Sequence, residues 1–396
     1  MASKVACVSS GCGSNIAEIQ KTLALAQSRG GRGRRPAGNL RPAWRVTVKG
    51  RDVSARLAPR LVSLSITDNR ENEADEVEIV VSDHDGALEL PETGDELTVA
   101  IGWEANGVDH VTGTYGHAGA ADFPLGLVDK GSYTIQAVEY SGTPDVITIR
   151  ARAADLLDSL RNLKDRSWHK TTVGAVVRAI ASQNKLTAIV AAEIAKRSLD
   201  HADQADESDA SFLRRLARQF DCLCNVKNGR LLFSQARAAR TPSGTALPPA
   251  RIVRSDGDSH RYARSDRDAY SGVKAFYNSA KGGTRSSVVA GISGRAKTLK
   301  HTFANKADAL AAARAEWLRI QRGIFSFDIT LAYGRADLMP QRPVVVSGYK
   351  RPIDETAWII TDVRHSLSSS GYSSTITLET LQAEGIEGAE DSTTVE

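Results

Sequence analysis

The chain has 396 residues, of which 41% are hydrophobic and 25% are charged, and this composition is typical of globular proteins. The length is sufficient for two or three domains with separate cores. A formal net charge of only +4 means that bulk charge does not indicate a nucleic-acid partner. No apolar run approaches the roughly 18 residues of a membrane span and no secretory signal is visible, so we expect no membrane partner.

The two ends of the sequence differ in charge from the body between them. Residues 1–41 hold seven lysines and arginines against one acid, Glu18, and they include a glycine- and arginine-rich run, 30–36. Such a run cannot bury apolar surface, so we predict a basic, flexible N-terminal extension over 1–41. Five acidic side chains in the last stretch predict an acidic tail over 383–396.

Short alternating strands dominate residues 42–154. Trp44, Val46 and Val48 alternate with polar residues, and turn signals such as Asn106-Gly107 separate the runs. The same period of two recurs in three further runs: Val77, Ile79 and Val81; Leu97, Val99 and Ile101; Tyr133, Ile135 and Ala137. We therefore predict a first β-barrel domain over 42–154, with one polar face for solvent or a partner.

The period becomes helical in residues 155–250. Leu156, Leu157 and Leu160 predict one helix, and Thr172 is the expected N-cap of a second. Asp206 is the expected N-cap of a third helix, which carries an apolar stripe at Phe212, Leu213, Leu216, Ala217 and Phe220.

A hairpin is expected directly after the third helix. The strand Cys222–Val226 leads to the turn Asn228-Gly229, and the apolar run 231–233 returns from it. These helices and this hairpin predict a small α+β module over 155–250.

Residues 251–382 return to a β pattern that is interrupted by a helix. Asn305 is the expected cap of a helix over Lys306–Gln321, and apolar strand segments follow at 325–329, 344–346, 358–360 and 375–381. We predict a second β domain that contains this long helix. The predicted fold class is therefore α+β, mainly β, with two β-barrel-like domains and an interposed α+β module.

The sequence predicts no catalytic residue, no cofactor-binding residue and no metal ligand. It has no phosphate-binding Gly-Lys-Ser/Thr loop, no nucleophile elbow and no zinc-protease motif, and its eight histidines are scattered. The four cysteines favour a reducing cytosol over a disulfide framework, and Cys222 and Cys224 would need two further ligands to hold zinc. We interpret these two as ordinary strand residues.

Two aspartate-rich strings, Arg254–Asp258 and Arg264–Asp268, suggest calcium at first sight. An EF-hand loop needs glutamate at its twelfth position, and counting from Asp256 and Asp266 gives Arg267 and Tyr277. Turn-forming aspartates explain the strings better.

Residues 172–196 have the outline of a helix-turn-helix motif. The segment Thr187–Ile194 is rich in alanine, isoleucine and valine, whereas a recognition helix needs polar and basic side chains. The composition therefore favours a packing role over DNA binding.

Several strings in the middle of the chain resemble the phage late control protein D family of tail hub proteins. They are Asp155–Leu157, Arg166–Trp168, Thr171–Gly174 and, with the greatest specificity, Gln204–Ala217, in which Glu207-Ser208-Asp209 leads into Phe212-Leu213-Arg214-Arg215-Leu216-Ala217. The order of elements from Trp44 to Thr380 also fits. Residues 1–41 look like an addition, and the lysozyme-like insert of some hubs is missing.

The resemblance implies a non-enzymatic structural hub of a contractile tail, similar to the N-terminal part of type VI secretion spike proteins. Such hubs are trimers with two related β-barrels per subunit, and the six barrels join a hexameric tail tube to a trimeric spike. The implied partners are therefore two further copies, the spike, the tail tube and the tape measure protein, with DNA only in transit. The implied location is the virion tail or baseplate, after assembly in the host cytoplasm.

Three alternatives remain at this stage. The basic residues 29–35 would suit a DNA-binding regulator of late genes, and a wall-degrading enzyme would need a cleft with coupled carboxylates. A hub from a domesticated particle, such as a bacteriocin, would have the same sequence features as one from an infectious phage.

Overall fold

The computed structural model of the chain describes residues 40–70, 75–105, 114–115, 123–153, 158–227, 229–236, 238–241, 243–264, 270–278, 285–292 and 294–381. The predicted acidic tail and all but the last two residues of the predicted basic extension lie outside these residues. Leu40 and Arg41 belong to the first strand, so regular structure begins slightly before the predicted boundary. In the described ranges, no helix combines the length and apolar composition that crossing a bilayer requires.

The first β domain is an antiparallel sheet whose alternating side chains form one core. Its path is β3-β4-β9-β8-β5-β1-β2, and the short helix α1 lies between β2 and β3. Buried side chains alternate along β4 and β5 as predicted, including Val77, Ile79 and Val81. The predicted alternation in β8 ends early, because a register shift between Ile135 and Ala137 leaves Ala137 exposed. The bounds are β1 Leu40–Val48, β2 Arg51–Asp52, α1 Ser54–Leu57, β3 Leu61–Asn69, β4 Glu76–Ser82, β5 Glu96–Ala105, β6 Thr114–Tyr115, β7 Phe123–Pro124, β8 Gly126–Ser141 and β9 Val146–Ala153.

The middle segment forms a separate small core. The antiparallel pair β10-β12 and the sheet β11-β14-β13 flank two helices, α3 and α5. The bounds are α2 Asp158–Arg161, β10 Leu163–Thr172, α3 Val173–Gln183, β11 Thr187–Val190, α4 Ala192–Ala195, β12 Ser198–Ser208, α5 Asp209–Gln219, β13 Cys222–Lys227 and β14 Arg230–Gln235. Gly174 lets α3 approach α4, because a Cβ there would lie 2.8 Å from Ala195.

The last third of the chain forms a second β core with an insertion. Strands β16-β20-β23-β22-β21-β15 form the core sheet, and β18-β17-β19 pack against the helix α6. The bounds are β15 Ala250–Val253, β16 Gly257–Arg264, β17 Gly272–Asn278, β18 Arg285–Gly291, β19 Ala296–Phe303, α6 Lys306–Arg322, β20 Phe325–Leu331, β21 Pro343–Ser347, α7 Arg351–Asp354, β22 Trp358–Ser368 and β23 Gly371–Thr380.

One strand pair joins the two β domains into a continuous sheet. Residues 362–368 of β22 pair antiparallel with residues 63–69 of β3, so the described chain contains one sheet of thirteen strands, in which β21 and β15 branch from β22. Leu367 and Tyr372 from the C-terminal hairpin lie in the core of the first domain. Because the connection is a hydrogen-bonded ladder and not a linker, the two domains have a fixed mutual orientation.

Helix caps test the sequence predictions directly. Thr172 and Asn305 cap α3 and α6 as predicted, each accepting a hydrogen bond from the backbone N–H three residues ahead. The prediction of Asp206 as the cap of α5 is wrong, because Asp206 lies within β12 and Ser208 is the cap. The predicted hairpin is present as β13 and β14.

The helix-turn-helix outline does not describe this segment. After α3, residues Thr187–Val190 form strand β11, which pairs in parallel with β14, and α4 is a single turn. There is therefore no second helix of the length that would enter a major groove in this described segment.

Candidate assembly site

A buried ion-pair network connects four parts of the fold. We call it the junction network, and its members are Arg70 after β3, Asp221 after α5, Arg322 at the end of α6 and Glu379 in β23. Arg322 donates to both carboxylate oxygens of Asp221 at 2.7 and 2.8 Å, with only 2% of its side chain exposed. Arg70 pairs with Glu379, whose Oε1 lies 3.7 Å from Nε of Arg322. The network holds both β domains, the module and the insertion together.

A second network fixes the start of α5 to β10. Asp209 is fully buried, and its carboxylate accepts hydrogen bonds from Lys164 at 2.6 Å, Asn184 at 2.9 Å, Gln204 at 3.0 Å and Arg166. We call these five residues the module network. Burial acts to raise the pKa of Asp209, but these hydrogen bonds and the charge of Arg166 outweigh it, so the pKa lies below its usual range.

A third buried group lies where the two β domains meet. Nδ1 of His365 lies 2.8 Å from the Ser374 hydroxyl and 3.1 Å from that of Tyr372. Lys130 from β8 donates to Asp68 of β3 at 3.1 Å and also to the Leu338 carbonyl at 3.4 Å. Burial lowers the pKa of His365 well below its ordinary value, and the charge of Lys130 acts in the same direction. Protonation of His365 therefore opposes the folded arrangement.

We expect the stability of the chain to fall as the pH is lowered below about 6.5, because an unfolded histidine gains a proton there while buried His365 does not. The slope from this residue is at most about 1.4 kcal/mol per pH unit and persists until the folded pKa is reached. Urea unfolding measured from pH 8 to 4.5 would check it. The variant His365→Asn should flatten the profile, whereas exposed His84→Asn should not, and equal slopes in both variants would contradict this assignment.

Several outward-facing features could contact other proteins. Arg150 and Arg152 of β9 pair with Glu78 and Glu76 of β4 at 2.9 and 2.6 Å, and these exposed pairs form a mixed-charge face. Exposed large apolar side chains lie elsewhere on the surface, at Val62, Leu90, Tyr140, Leu163, Ile292 and Met339. Isolated exposed apolar side chains are normal, so they mark candidate contact points and do not define a site by themselves.

The basic side chains of α5 lie on its outer face. Arg214, Arg215 and Arg218 are exposed. Arg215 pairs with Glu207 at 2.8 Å, and its guanidinium lies 5.0 Å from the ring centre of Phe212. Phe212, Leu213, Leu216 and Ala217 are buried on the opposite face, so the string mainly specifies packing.

The histidines are less scattered in space than in sequence. His169 and His201 are cross-strand partners in β10 and β12, with their Nδ1 atoms 3.0 Å apart, and Nε2 of His201 lies 2.8 Å from Asp203. Among the residues the structure describes, no group of three or more metal-ligating side chains is assembled. The sequence could not indicate this pair, because His169 and His201 meet only through the register of β10 with β12.

The two strand cysteines are free thiols, of which Cys222 is buried and Cys224 is half-buried. Burial raises the pKa of both thiols, that of Cys224 to about 12, so both are protonated at neutral pH. Asp256 forms part of a turn, where it accepts a hydrogen bond from the Val253 amide at 2.9 Å. Asp266 and Asp268, like Cys7 and Cys12, lie outside the described residues.

This architecture defines a mainly β protein built from several sheets, and comparison with solved structures agrees. The 43 kDa tail protein of prophage MuSo2 from Shewanella oneidensis superposes with a TM-score of 0.59 at 14% identity, covering 86% of this chain and 99% of that chain. The tail protein from Neisseria meningitidis MC58 gives a TM-score of 0.62 at 16% identity, covering 86% and 96%. The fold is therefore that of phage tail proteins.

Sequence comparison makes the assignment more specific. The family model for the phage tail baseplate hub (GPD) matches residues 73–371. The probable baseplate hub proteins of Escherichia phages 186 and P2 are each 38% identical over 382 and 380 residues, covering 86% of this chain and 93% of theirs. The chain belongs to the phage tail baseplate hub family. This match confirms the family resemblance seen in the sequence, and the chain is a structural component of the virion. Nothing in the comparisons supports the DNA-binding alternative.

Proposed function

We propose that three copies of this chain form a ring that joins a hexameric tail tube to a trimeric spike. The observation that carries this proposal is the fusion of two β domains into one sheet through β3 and β22. Three subunits with two β domains each would supply six β units, which would suit a sixfold partner on one side and a threefold partner on the other. A tape measure protein and transiting DNA would pass through the centre of such a ring.

Rigidity within each subunit supports this mechanical role. A hub has to remain bound while the surrounding sheath contracts, so a flexible hinge between its two β domains would let the ring deform. The β3–β22 ladder, the junction network and the hydrogen bond from Lys130 to the Leu338 carbonyl all cross between parts of the subunit and oppose such movement. The subunit contacts would each need to be large, above about 2,000 Å² for an obligate interface.

We propose that the role involves no catalysis. In the described parts of the chain, the buried carboxylates of Asp209 and Asp221 are each engaged by cations, and no metal-ligand group is assembled. A zymogram on bacterial cell walls should therefore show no clearing by the purified chain. Clearing that survives repurification would contradict this part of the proposal.

The oligomeric proposal is tested by light-scattering mass. The monomer mass is 42.5 kDa, and we expect a species of three times that mass, either for the chain alone or after mixing with the spike protein encoded nearby. The variant Arg150→Glu reverses one charge on the mixed-charge face and tests whether that face lies in the contact between subunits. A chain that remains monomeric at all concentrations and with the spike present would contradict the ring.

A further inference from the structure

The second β domain is open along one seam. Within the described chain, β16 forms ladder hydrogen bonds only with β20, and β15 only with β21, so the sheet ends at both strands. An unpaired strand edge exposes a row of backbone donors and acceptors, and proteins usually cover or block it. The seam is therefore a place where an extended segment can add as a further strand.

A cleft of about 440 Å³ opens at this seam. His260 and Tyr262 line it from β16, while Tyr349 and Ile353 line it from the other side together with Gly348, Lys350 and Arg254. Tyr349 packs edge-on against His260 and Phe327, each with ring centres 5.1 Å apart. Its buried hydroxyl has no hydrogen-bond partner among the described residues, and burial raises its pKa to about 12. The hydroxyl is therefore a donor at neutral pH without a partner.

The cleft is basic. Arg254 and Lys350 both line it and are exposed, and neither forms an ion pair with any side chain in the described ranges. Among the residues that the structure describes, no carboxylate lines it. The nearby Asp354 is engaged by the backbone amides of Gly348 and Tyr349 at 3.0 and 3.1 Å, and Asp256 by that of Val253. An occupant that brings carboxylates would satisfy the two cations and the tyrosine hydroxyl.

We propose that the acidic segment 382–396 of this same chain docks along β16 and fills the seam cleft. The segment follows β23 directly and contains Glu384, Glu387, Glu390, Asp391 and Glu396. Its carboxylates pair with Arg254 and Lys350 while its backbone continues the sheet beyond β16. The occupant is thus an additional antiparallel strand supplied by the chain itself, and the proposal does not depend on the ring.

The strand register places the segment within reach. Glu379 of β23 pairs with Ser326 of β20, which pairs with Ala263 of β16, so the chain leaves β23 level with the end of β16. Strands lie about 4.8 Å apart, so the position beyond β16 is about 14 Å away. About five extended residues cover that distance at roughly 3.3 Å each. The segment would then run back along β16 from Arg264 towards His260, which would place Glu387, Glu390 and Asp391 beside that strand.

Hydrogen–deuterium exchange of the full-length chain tests the docking. In the unaltered chain we expect slow exchange in residues 257–264 and in 384–391. The double variant Arg254→Glu with Lys350→Glu should raise exchange in both segments by about tenfold or more, because both depend on the same contact. Arg178→Glu with Arg214→Glu is the matched control, since it reverses the same number of exposed charges on α3 and α5.

A charge swap makes the test specific. Adding Glu387→Lys, Glu390→Lys and Asp391→Lys to the Arg254→Glu, Lys350→Glu chain should restore slow exchange in both segments. The proposal is overturned if the cleft variant exchanges like the unaltered chain or if the swap restores nothing. Protection that disappears on dilution would also overturn it, because it would assign the occupant to a neighbouring copy.

Discussion

Replacement of Arg322 by alanine is expected to destabilise the chain by about 3–5 kcal/mol, which is the cost of breaking a buried ion pair from one side. Arg322 is 2% exposed and donates to both oxygens of Asp221, while its Nε faces Glu379 at 3.7 Å. Its removal leaves the Asp221 carboxylate buried without its bidentate partner. The midpoint and slope of urea unfolding measure the loss.

Two further variants separate the charge effect from general damage. Arg351 also pairs with a carboxylate, Glu355, but its side chain is 86% exposed, so Arg351→Ala should leave the urea midpoint almost unchanged. The double variant Arg322→Met with Asp221→Asn should recover part of the loss, because it removes both charges together. Equal losses for Arg322→Ala and Arg351→Ala would show that the junction network does not hold the parts together.

Much of the fold was predictable because its signals are local. The alternation of Val77, Ile79 and Val81 predicts a strand with one buried face, and the structure buries all three. Thr172 and Asn305 carry the hydroxyl and amide that cap a helix start, and both do so. In each case the residues that decide the structure lie within a few positions of one another.

Strands β10 and β12 were not predicted, because their inward faces carry little apolar signal. Lys164, Arg166 and Trp168 follow one another at every second position of β10, and the two cations pair with buried Asp209. In the sequence, a polar strand face that is buried by ion pairs has the same pattern as a face exposed to solvent. The same arrangement explains the misplaced cap, because β12 continues past Asp206 before Ser208 starts α5.

The candidate assembly site was the least predictable part. The junction network joins Arg70 to Glu379, which are 309 positions apart, and Arg322 to Asp221, which are 101 apart. The β3–β22 ladder likewise pairs residues 63–69 with residues 362–368, which lie far apart in the sequence. No local pattern identifies such partners, since a buried, paired arginine or glutamate cannot be distinguished in the sequence from an exposed one. What the family-like string did reveal was Asp209, although its partners were not evident.

Replacement of Asp209 by alanine is expected to cost about 3–5 kcal/mol, as for other buried charges that lose their counter-ion. The variant would leave Lys164 and Arg166 facing an empty site, and the side-chain amides of Asn184 and Gln204 would each lose an acceptor. Trp168 is a local reporter, because its ring lies 6.5 Å from Phe212 and 5.2 Å from the Arg166 guanidinium. Its fluorescence should follow unfolding of the module in urea.

Neighbouring substitutions show whether the charge or the helix cap is responsible. Ser208→Ala removes the cap and should cost about 0.5–2 kcal/mol, while exposed Asp206→Asn should cost little despite its acidic side chain. Because the pKa of Asp209 is lowered, its contribution is present above about pH 3.9 and is lost as the pH falls through the folded pKa. If Asp206→Asn and Asp209→Ala proved equally damaging, the stabilisation would come from the acidic character of the whole string. A selective loss at Asp209 would instead show that one buried carboxylate, paired with Lys164 and Arg166 of β10, holds the start of α5 in place.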